Sequence, residues 1–392
     1  EALGWPLEPA FFVPDDVREH MGRAVERGRQ AQAAWDERLA AYRAAHPDLA
    51  ARFVAQMSGE LPAGWDDDLD ALFAGSDKPV ATRNASGKVL NAVVKKVDWL
   101  MGGSADLGPS NKTYQDGLGD FGEGGFAGPN LAFGVREHAM GSLAGGLALH
   151  GGVIPYTGTF LIFTDYMRPP MRLAALMGLR VIYVYSHDSI ALGEDGPTHQ
   201  PIEQIMQLRL MPNVTVVRPA DGPETVEAWR VALTRREGPT VLLTSRQDLP
   251  AIDRTRAAAA TGLRRGAYVL WESAAQPELI FIATGSEVHL ALEVGQKLAA
   301  EGEKVRVVSM PSWELFAAQD AAYRESVLPA KTGKRLAVEA GLKYGWERWV
   351  GPAGAVIGLE HYGDSAPWQV LYEKYGFTVE NIEARARQLL AE

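Results

Sequence analysis

The sequence predicts an α/β chain of two consecutive domains, each on a parallel or mixed sheet, preceded by a helical arm. Three observations carry this. From Lys78 onward, short apolar runs bounded by Gly, Pro or Asp alternate with helical stretches. A basic, Ala-rich interval at 253–266 separates two such alternations. Residues 1–77 hold no comparable run and read as a helical arm and linker. The predicted division is therefore 1–77, 78–253 and 254–392.

Within the arm, residues 1–14 contain three Pro and no helical period, so they read as extended. Asp15 and Asp16 are placed to cap a polar helical stretch reaching about Met57, with Val17, Met21 and Val25 as a narrow apolar stripe. Pro47 breaks it into two helices. Ser58 to Pro79 carries several Gly and Pro and three aspartates from Asp66, and reads as a linker or frayed short helix. In the first α/β unit, runs at 97–101, 131–135, 181–185, 214–217 and 240–244 predict buried parallel strands. Helices are predicted between them at about 136–149, 161–177, 201–209 and 222–236. In the second unit, strands are predicted at 279–283, 305–308, 335–339 and 355–359. A helix from Glu287 to about Ala300 has Ser286 as N-cap and Gly302 as stop, and a closing helix covers about 379–391.

Composition narrows the function. The 392 residues are 46% hydrophobic and 22% charged, the mix of a globular protein. No window of about 18 uncharged apolar residues predicts a membrane span. With no Cys, disulfides, thiolate metal sites and cysteine nucleophiles are excluded, and a reducing, cytoplasmic setting is expected. A net charge of −10 without a basic run argues against nucleic acid, so any anionic ligand must be met by a few local Arg and His. The chain begins Glu1-Ala2-Leu3 without Met or signal peptide, and reads as the middle of something longer.

Several familiar motifs fail. Gly122-Glu123-Gly124 with Ala127 meets Gly128-Pro129 where a nucleotide-binding helix should start. Gly333-Lys334 lacks the rest of a P-loop, and no serine elbow or zinc helix occurs. The informative run is His187 to Pro201, rich in His, acid and Gly, at the carboxyl end of a predicted parallel strand, where ligands bind in open α/β sheets. A solvated loop is the plain alternative. Five further clusters accompany it: Gly134-Val135-Arg136-Glu137-His138, Thr159 to Phe163 with Tyr166, Gly102 to Asp106 with Pro109-Ser110-Asn111, Thr244-Ser245-Arg246-Gln247, and Thr82 to Ser86. Each alone has an ordinary structural explanation. An acid at a helix start complements the dipole, aromatics three apart pack a core, and an Arg at a strand end makes surface ion pairs.

Together, in this order, they resemble the transketolase family of thiamin-diphosphate enzymes. Gly-Glu-Asp-Gly-Pro-Thr-His-Gln-Pro (193–201) and Gly-Gly-Ser-Ala-Asp-Leu (102–107) are the most specific motifs, and Ala-Thr-Gly-Ser-Glu-Val (283–288) with Val-Ser-Met-Pro-Ser (308–312) resemble the family's C-terminal domain. The resemblance implies a thiamin pyrimidine-binding domain followed by that C-terminal domain, and transfer of a two-carbon ketol unit between sugar phosphates. By the same resemblance Glu137 bonds the pyrimidine N1′, and a carboxyl at an apolar site can hold that proton. Phe163 stacks on the pyrimidine, Phe160 and Tyr166 complete the wall, and Asp106 and Leu107 also belong to the cofactor site. His187 and His199 contact the sugar and move protons, and Asp195 accepts from a donor hydroxyl. Arg83, Arg246 and Ser110 hold the terminal phosphate with His187 nearby, Arg offering a fixed fork of donors. Ala191 stands where the family usually has Gly, a small change unless its φ is positive.

No Gly-Asp-Gly triplet, the family's metal and diphosphate motif, occurs in these residues. The expectation is thus that residues 1–14 begin just after the first, diphosphate-binding domain. That domain would bring the divalent metal (Mg2+ or Ca2+), and no metal ligand is assigned here. It would lie on the same longer polypeptide or on a separate partner chain. The remaining readings are the β-type subunit of a split transketolase or 2-oxo acid dehydrogenase, a dihydroxyacetone synthase, and a non-catalytic dimerisation module. Glu137 separates the module from the enzymes, since a module needs no acid facing a pocket. A homodimer is expected, as is absence of nucleic-acid and membrane partners.

Overall fold

The computed structural model describes residues 2–122 and 124–392. Glu1 and Glu123, the latter inside the failed nucleotide motif, lie outside the described residues.

Residues 1–58 and 59–392 form two compact units. The first is a pair of helices, α1 (Asp15–Ala45) and α2 (Pro47–Ser58), broken at Pro47 as expected. Trp35 of α1 meets Phe53 of α2 at 6.2 Å between ring centroids. Asp15 and Asp16 sit in the first turn, where their charge complements the helix dipole, but Pro14 holds the cap position and makes no side-chain cap bond. The stripe Val17, Met21 and Val25 is helical yet exposed.

The second unit contains both sheets. The first has order β2-β1-β3-β4-β6-β5 and is wholly parallel. Its strands are β1 (Leu100–Ser104), β2 (Asn130–Ala132), β3 (Ile154–Phe160), β4 (Ile182–Ser186), β5 (Thr215–Val217) and β6 (Thr240–Thr244). The helices interleaved with them are α3 (Thr82–Val93), α4 (Gly108–Asn111), α5 (Glu137–His150), α6 (Thr164–Leu176), α7 (Gln204–Arg209) and α8 (Gly222–Thr234). Both sheet faces are covered, so strand side chains alternate between two cores. Ile182 and Val184 of β4 face a core with Val89 and Trp229, and Tyr183 and Tyr185 face one with Met140 and Met171.

The second sheet has order β11-β10-β8-β9-β7 and is mixed, with β7 antiparallel to β9. Its strands are β7 (Tyr268–Glu272), β8 (Leu279–Ala283), β9 (Val305–Ser309), β10 (Arg335–Leu342) and β11 (Ala355–Leu359). Around it lie α9 (Glu287–Ala300), α10 (Trp313–Ala317), α11 (Ala321–Val327), α12 (Glu347–Val350), α13 (Trp368–Lys374) and α14 (Val379–Ala391). No helix among the described residues is long and apolar enough to cross a membrane.

Four expectations are corrected. Residues 59–77 are not a loose linker: Leu69 is buried with Trp65 and Phe73 against the core that holds Trp229 of α8, and Asp66 and Asp70 bind Arg230 at 2.9 and 2.6 Å. Asp66 gives no sign of this in the sequence, because its arginine lies far along the chain. Second, β3 and β7 among the strands, and α3, α4 and α10 to α13 among the helices, have no counterpart in the sequence expectations. β3 is hidden because Pro155, Thr157, Gly158 and Thr159 break the apolar run, although every residue of it is buried. Third, β1 begins at Leu100, later than the predicted 97. Fourth, Ser286 precedes α9 but does not cap it. Its hydroxyl donates to Glu287 Oε1 at 2.7 Å and accepts from Arg218 at 3.2 Å, drawn into a buried ion network.

Gly102 and Gly103 let three strands close. A Cβ on Gly102 would lie inside the van der Waals surface of the Tyr156 carbonyl oxygen, and one on Gly103 inside that of Leu131. Gly102→Ala is therefore expected to destabilise the fold by about 3 kcal/mol, the upper end of overpacking costs. Urea denaturation should show a lower midpoint at unchanged slope.

Candidate active site

Parallel pairing aligns the strand ends. Ser104 pairs with Gly158, Phe160 with Ser186, and Ser186 with Thr244, so residues following β1, β3, β4 and β6 emerge along one edge. Five of the six sequence clusters meet this edge by that rule, and α3 brings the sixth when Arg83 donates to the Ser110 carbonyl at 3.0 Å.

A continuous row of rings forms the wall. Phe163 stacks on Phe160 at 6.0 Å and 8° between planes, and Phe160 stacks on His187 at 3.7 Å. Tyr166 and His199 flank Phe163 at 6.2 and 5.6 Å. The aromatics do not share a helix, contrary to the spacing argument. Phe160 ends β3, residues 161–163 make a single 3-10 turn, and α6 starts at Thr164. The turn itself brings the rings to one side.

His187 is buried and adopts φ +61°, a left-handed conformation that costs a non-glycine residue about 1–3 kcal/mol. Asp106 and Lys112 share this conformation, at +58° and +59°, on either side of α4. Burial, then Arg83, Arg246 and His199, push the His187 imidazole down to about 3. Burial, then Arg246, also lowers the Arg83 guanidinium below its ordinary value. Two cations thus stand close together, and Arg83 Nε is buried without a hydrogen-bond partner among the described residues. Side by side, such forks fit a tetrahedral anion.

Glu137 opens α5 beyond the end of β2. It is only 7% exposed, and its carboxylate has no hydrogen bond or ion pair among the described residues. Burial, then Tyr183 and Glu137, raise the Tyr185 hydroxyl, which places the carboxylate within electrostatic reach of the β4 end. A buried acid without a protein partner is free to bond a polar ligand atom, as the resemblance expects of Glu137. No group of three His, Asp or Glu able to hold a metal ion occurs among the described residues.

Asp106, Leu107 and Asp195 are less directly engaged. The Leu107 N–H donates to Ser104 Oγ at 3.1 Å, and Asp106 and Asp195 are exposed on the loops leaving β1 and β4. Ala191 lies in a 3-10 turn and is not among the residues with positive φ, so the Gly-to-Ala departure costs little. Sequence reasoning missed the residues behind the site. Gln200 Nε2 donates to the carbonyls of Gly193 and Asp364, both at 2.9 Å, tying the 193–200 loop to the C-terminal sheet's loops. Asp188 meets Arg218 at 2.8 Å, and Asn111 and Ser186 bond each other at 2.6 Å. Asn111, Asp188 and Gln200 stood inside the quoted motifs. Ser186 and Arg218 carried no signal, since their partners lie 75 and 30 positions away.

Three family models match the chain. Residues 78–251 match the transketolase pyrimidine binding domain, and residues 266–378 the transketolase-like C-terminal domain. Residues 1–62 match the transketolase thiamine diphosphate binding domain. This corrects the expectation that the chain begins after that domain: its first helices belong to the match. A helix pair with so little buried reads as an arm whichever domain it comes from. A transketolase of Geobacillus stearothermophilus is 50% identical over 392 residues, which is all of this chain and 58% of the relative. The chain thus spans somewhat over half the length of the curated relatives it matches. A Pichia stipitis transketolase solved with sedoheptulose 7-phosphate superposes with TM-score 0.93 at 36% identity, over 100% of this chain and 57% of that one. A split-gene transketolase, an inactive β4 tetramer, superposes with TM-score 0.63 at 24% identity, over 80% of this chain and 99% of that one, a likeness of fold. With three domain matches in the family's order and half its residues shared with a bacterial member, the chain belongs to the transketolase family.

Proposed function

We propose that the protein transfers a two-carbon ketol unit reversibly from a ketose phosphate to an aldose phosphate, as in the pentose phosphate pathway. The observation that carries this is the ring row Phe163–Phe160–His187 running into the Arg83 and Arg246 pair. One end suits a flat cofactor ring and the other a phosphate. Thiamin diphosphate, with a divalent metal at its diphosphate, is the proposed cofactor and supplies the carbon nucleophile when bound. Glu137 holds a proton at the pyrimidine, Phe163 stacks on it, and Phe160 and Tyr166 keep water from it. Asp106 and Leu107 border the same pocket. His199 and Asp195 meet the sugar hydroxyls, with His199 moving a proton. Arg83, Arg246, Ser110 and His187 receive the phosphate. The domains proposed for this work are 78–253 and 254–392.

The phosphate end has its own test. Arg246→Leu should raise KM for a pentose phosphate about 10- to 100-fold, the loss of a charge-assisted contact, with kcat little changed. KM for the unphosphorylated sugar should not move. An equal rise for both sugars would remove Arg246 from the phosphate.

The working form proposed is a cytoplasmic homodimer. Leu143 and Leu149 of α5 and Leu173 and Leu176 of α6 are large, apolar and exposed, an area suited to a second copy. A second reading is one chain of a split enzyme. The intact mass of the polypeptide in its source cells separates them. A value near 42.5 kDa supports the split enzyme, and a much larger one a single long chain.

A further inference from the structure

A buried side-chain relay stands behind His187. Asn111, at the end of α4, reaches between the ends of β1 and β4. Its Nδ2 donates to Ser104 Oγ at 3.0 Å, and Ser186 Oγ donates to its Oδ1 at 2.6 Å. Ser186 Oγ lies 2.7 Å from His187 Nδ1. All four side chains are buried, so water cannot stand in for any partner. The two lengths orient the amide: the shorter is typical of O–H···O and the longer of N–H···O.

The hydrogens follow by counting. An amide oxygen only accepts, so the single Ser186 hydrogen goes to Asn111. What Ser186 turns toward His187 is a lone pair, and Nδ1 must carry the hydrogen. A neutral imidazole then has its lone pair on Nε2. Nε2 makes no hydrogen bond among the described residues. The charged and titratable groups facing the ring are Arg83 from α3, Arg246 after β6 and His199 from the loop beyond β4. Phe160 of β3 stacks on the ring, Asp248 acts on Arg83, and Asp188 turns away to Arg218. This surrounding keeps the free imidazole neutral.

We infer that Asn111, acting through Ser186, is a positioning residue that holds His187 as its Nδ1–H tautomer, so that Nε2 meets the substrate's phosphoryl end as a proton acceptor. The inference deepens the phosphate reading above and rests on it. A phosphate dianion has no hydrogen to give Nε2, so two lone pairs would face each other. The bound state therefore contains one added proton, taken up from solvent onto Nε2 and shared with a phosphoryl oxygen, so that an N–H bond forms and no bond between heavy atoms is made or broken. The dianion offsets the two arginine charges, which makes that proton favourable.

Long-range nitrogen–proton NMR on the labelled, ligand-free chain near neutral pH reads the tautomer directly, with His187 assigned by the loss of its signals in His187→Gln. Expected are a protonated Nδ1 and an unprotonated Nε2; protonation at Nε2 instead overturns the inference. Ser186→Ala should move most of the population to the Nε2–H form. Asn111→Asp, whose carboxylate can only accept, should keep Nδ1–H. If Ser186→Ala fails to fold, the wild type and Asn111→Asp still decide. Titration with inorganic phosphate should then convert His187 to imidazolium with uptake of a proton. If phosphate shifts the Arg83 and Arg246 signals while Nε2 stays bare, the acceptor role falls. If no residue of the site responds, the phosphate reading fails while the tautomer result stands.

Discussion

Replacing Glu137 by Gln is expected to lower ketol transfer about 10²- to 10⁴-fold, the range set by losing a positioned proton-transfer group. Gln keeps the shape and removes the ability to hold and release a proton. The fold should survive, because the Glu137 carboxylate has no protein partner among the described residues to lose. With no partner lost and the shape kept, thermal stability should stay level. The measurement is turnover of the enzyme as its cells make it, alongside a thermal melt. A near-wild-type rate would take Glu137 out of the mechanism. A collapsed melt would instead make it a structural residue at the α5 start.

The second large effect concerns stability. Arg218 is wholly buried where the two sheets' loops meet. It binds Asp188 at 2.8 Å and Glu287, and donates to the Thr284 carbonyl at 3.0 Å. Beside it Arg209 grips Glu339 with both nitrogens at 2.7 Å and lies over the Trp313 ring at 4.1 Å. Two arginines therefore face three carboxylates without water. Burial pushes the Asp188 carboxyl up, and Arg218 is the group that pulls it back. Arg218→Met would strand Asp188 and Glu287, at about 3–5 kcal/mol of stability. Adding Asp188→Asn and Glu287→Gln should restore part of that loss, because the cost lies in unpaired charge. Denaturant midpoints of the single and triple variants test this, and equal losses in both would refute the charge explanation. Because Asp188 follows the strained His187, the single variant should also lower ligand affinity more than the Gly102→Ala change does.

Much of the site was legible because its chemistry is local. The 187–201 run, Glu137 and the aromatic cluster stand out by residue type, and parallel strands must deliver them to one edge. The same holds for the elements: β4, β6, β8 and β11 are short, mainly apolar runs, and their bounds lie within a residue of the predicted ones. β3 was not, since burial of Thr157 and Thr159 follows from neighbours on both faces and leaves no apolar period behind.

What the sequence alone determined is the family, the α/β alternation and the residues proposed above for cofactor and sugar. What only the tertiary structure decided is how those residues are held. The Ser104–Asn111–Ser186 relay, the Arg218 cluster and the Asp66–Arg230 clamp each join positions far apart in the chain, linked by burial and by hydrogen-bond satisfaction. A polar side chain gives no local sign of its partner. Once water is gone that partner becomes obligatory, and only the packed fold specifies which residue it is.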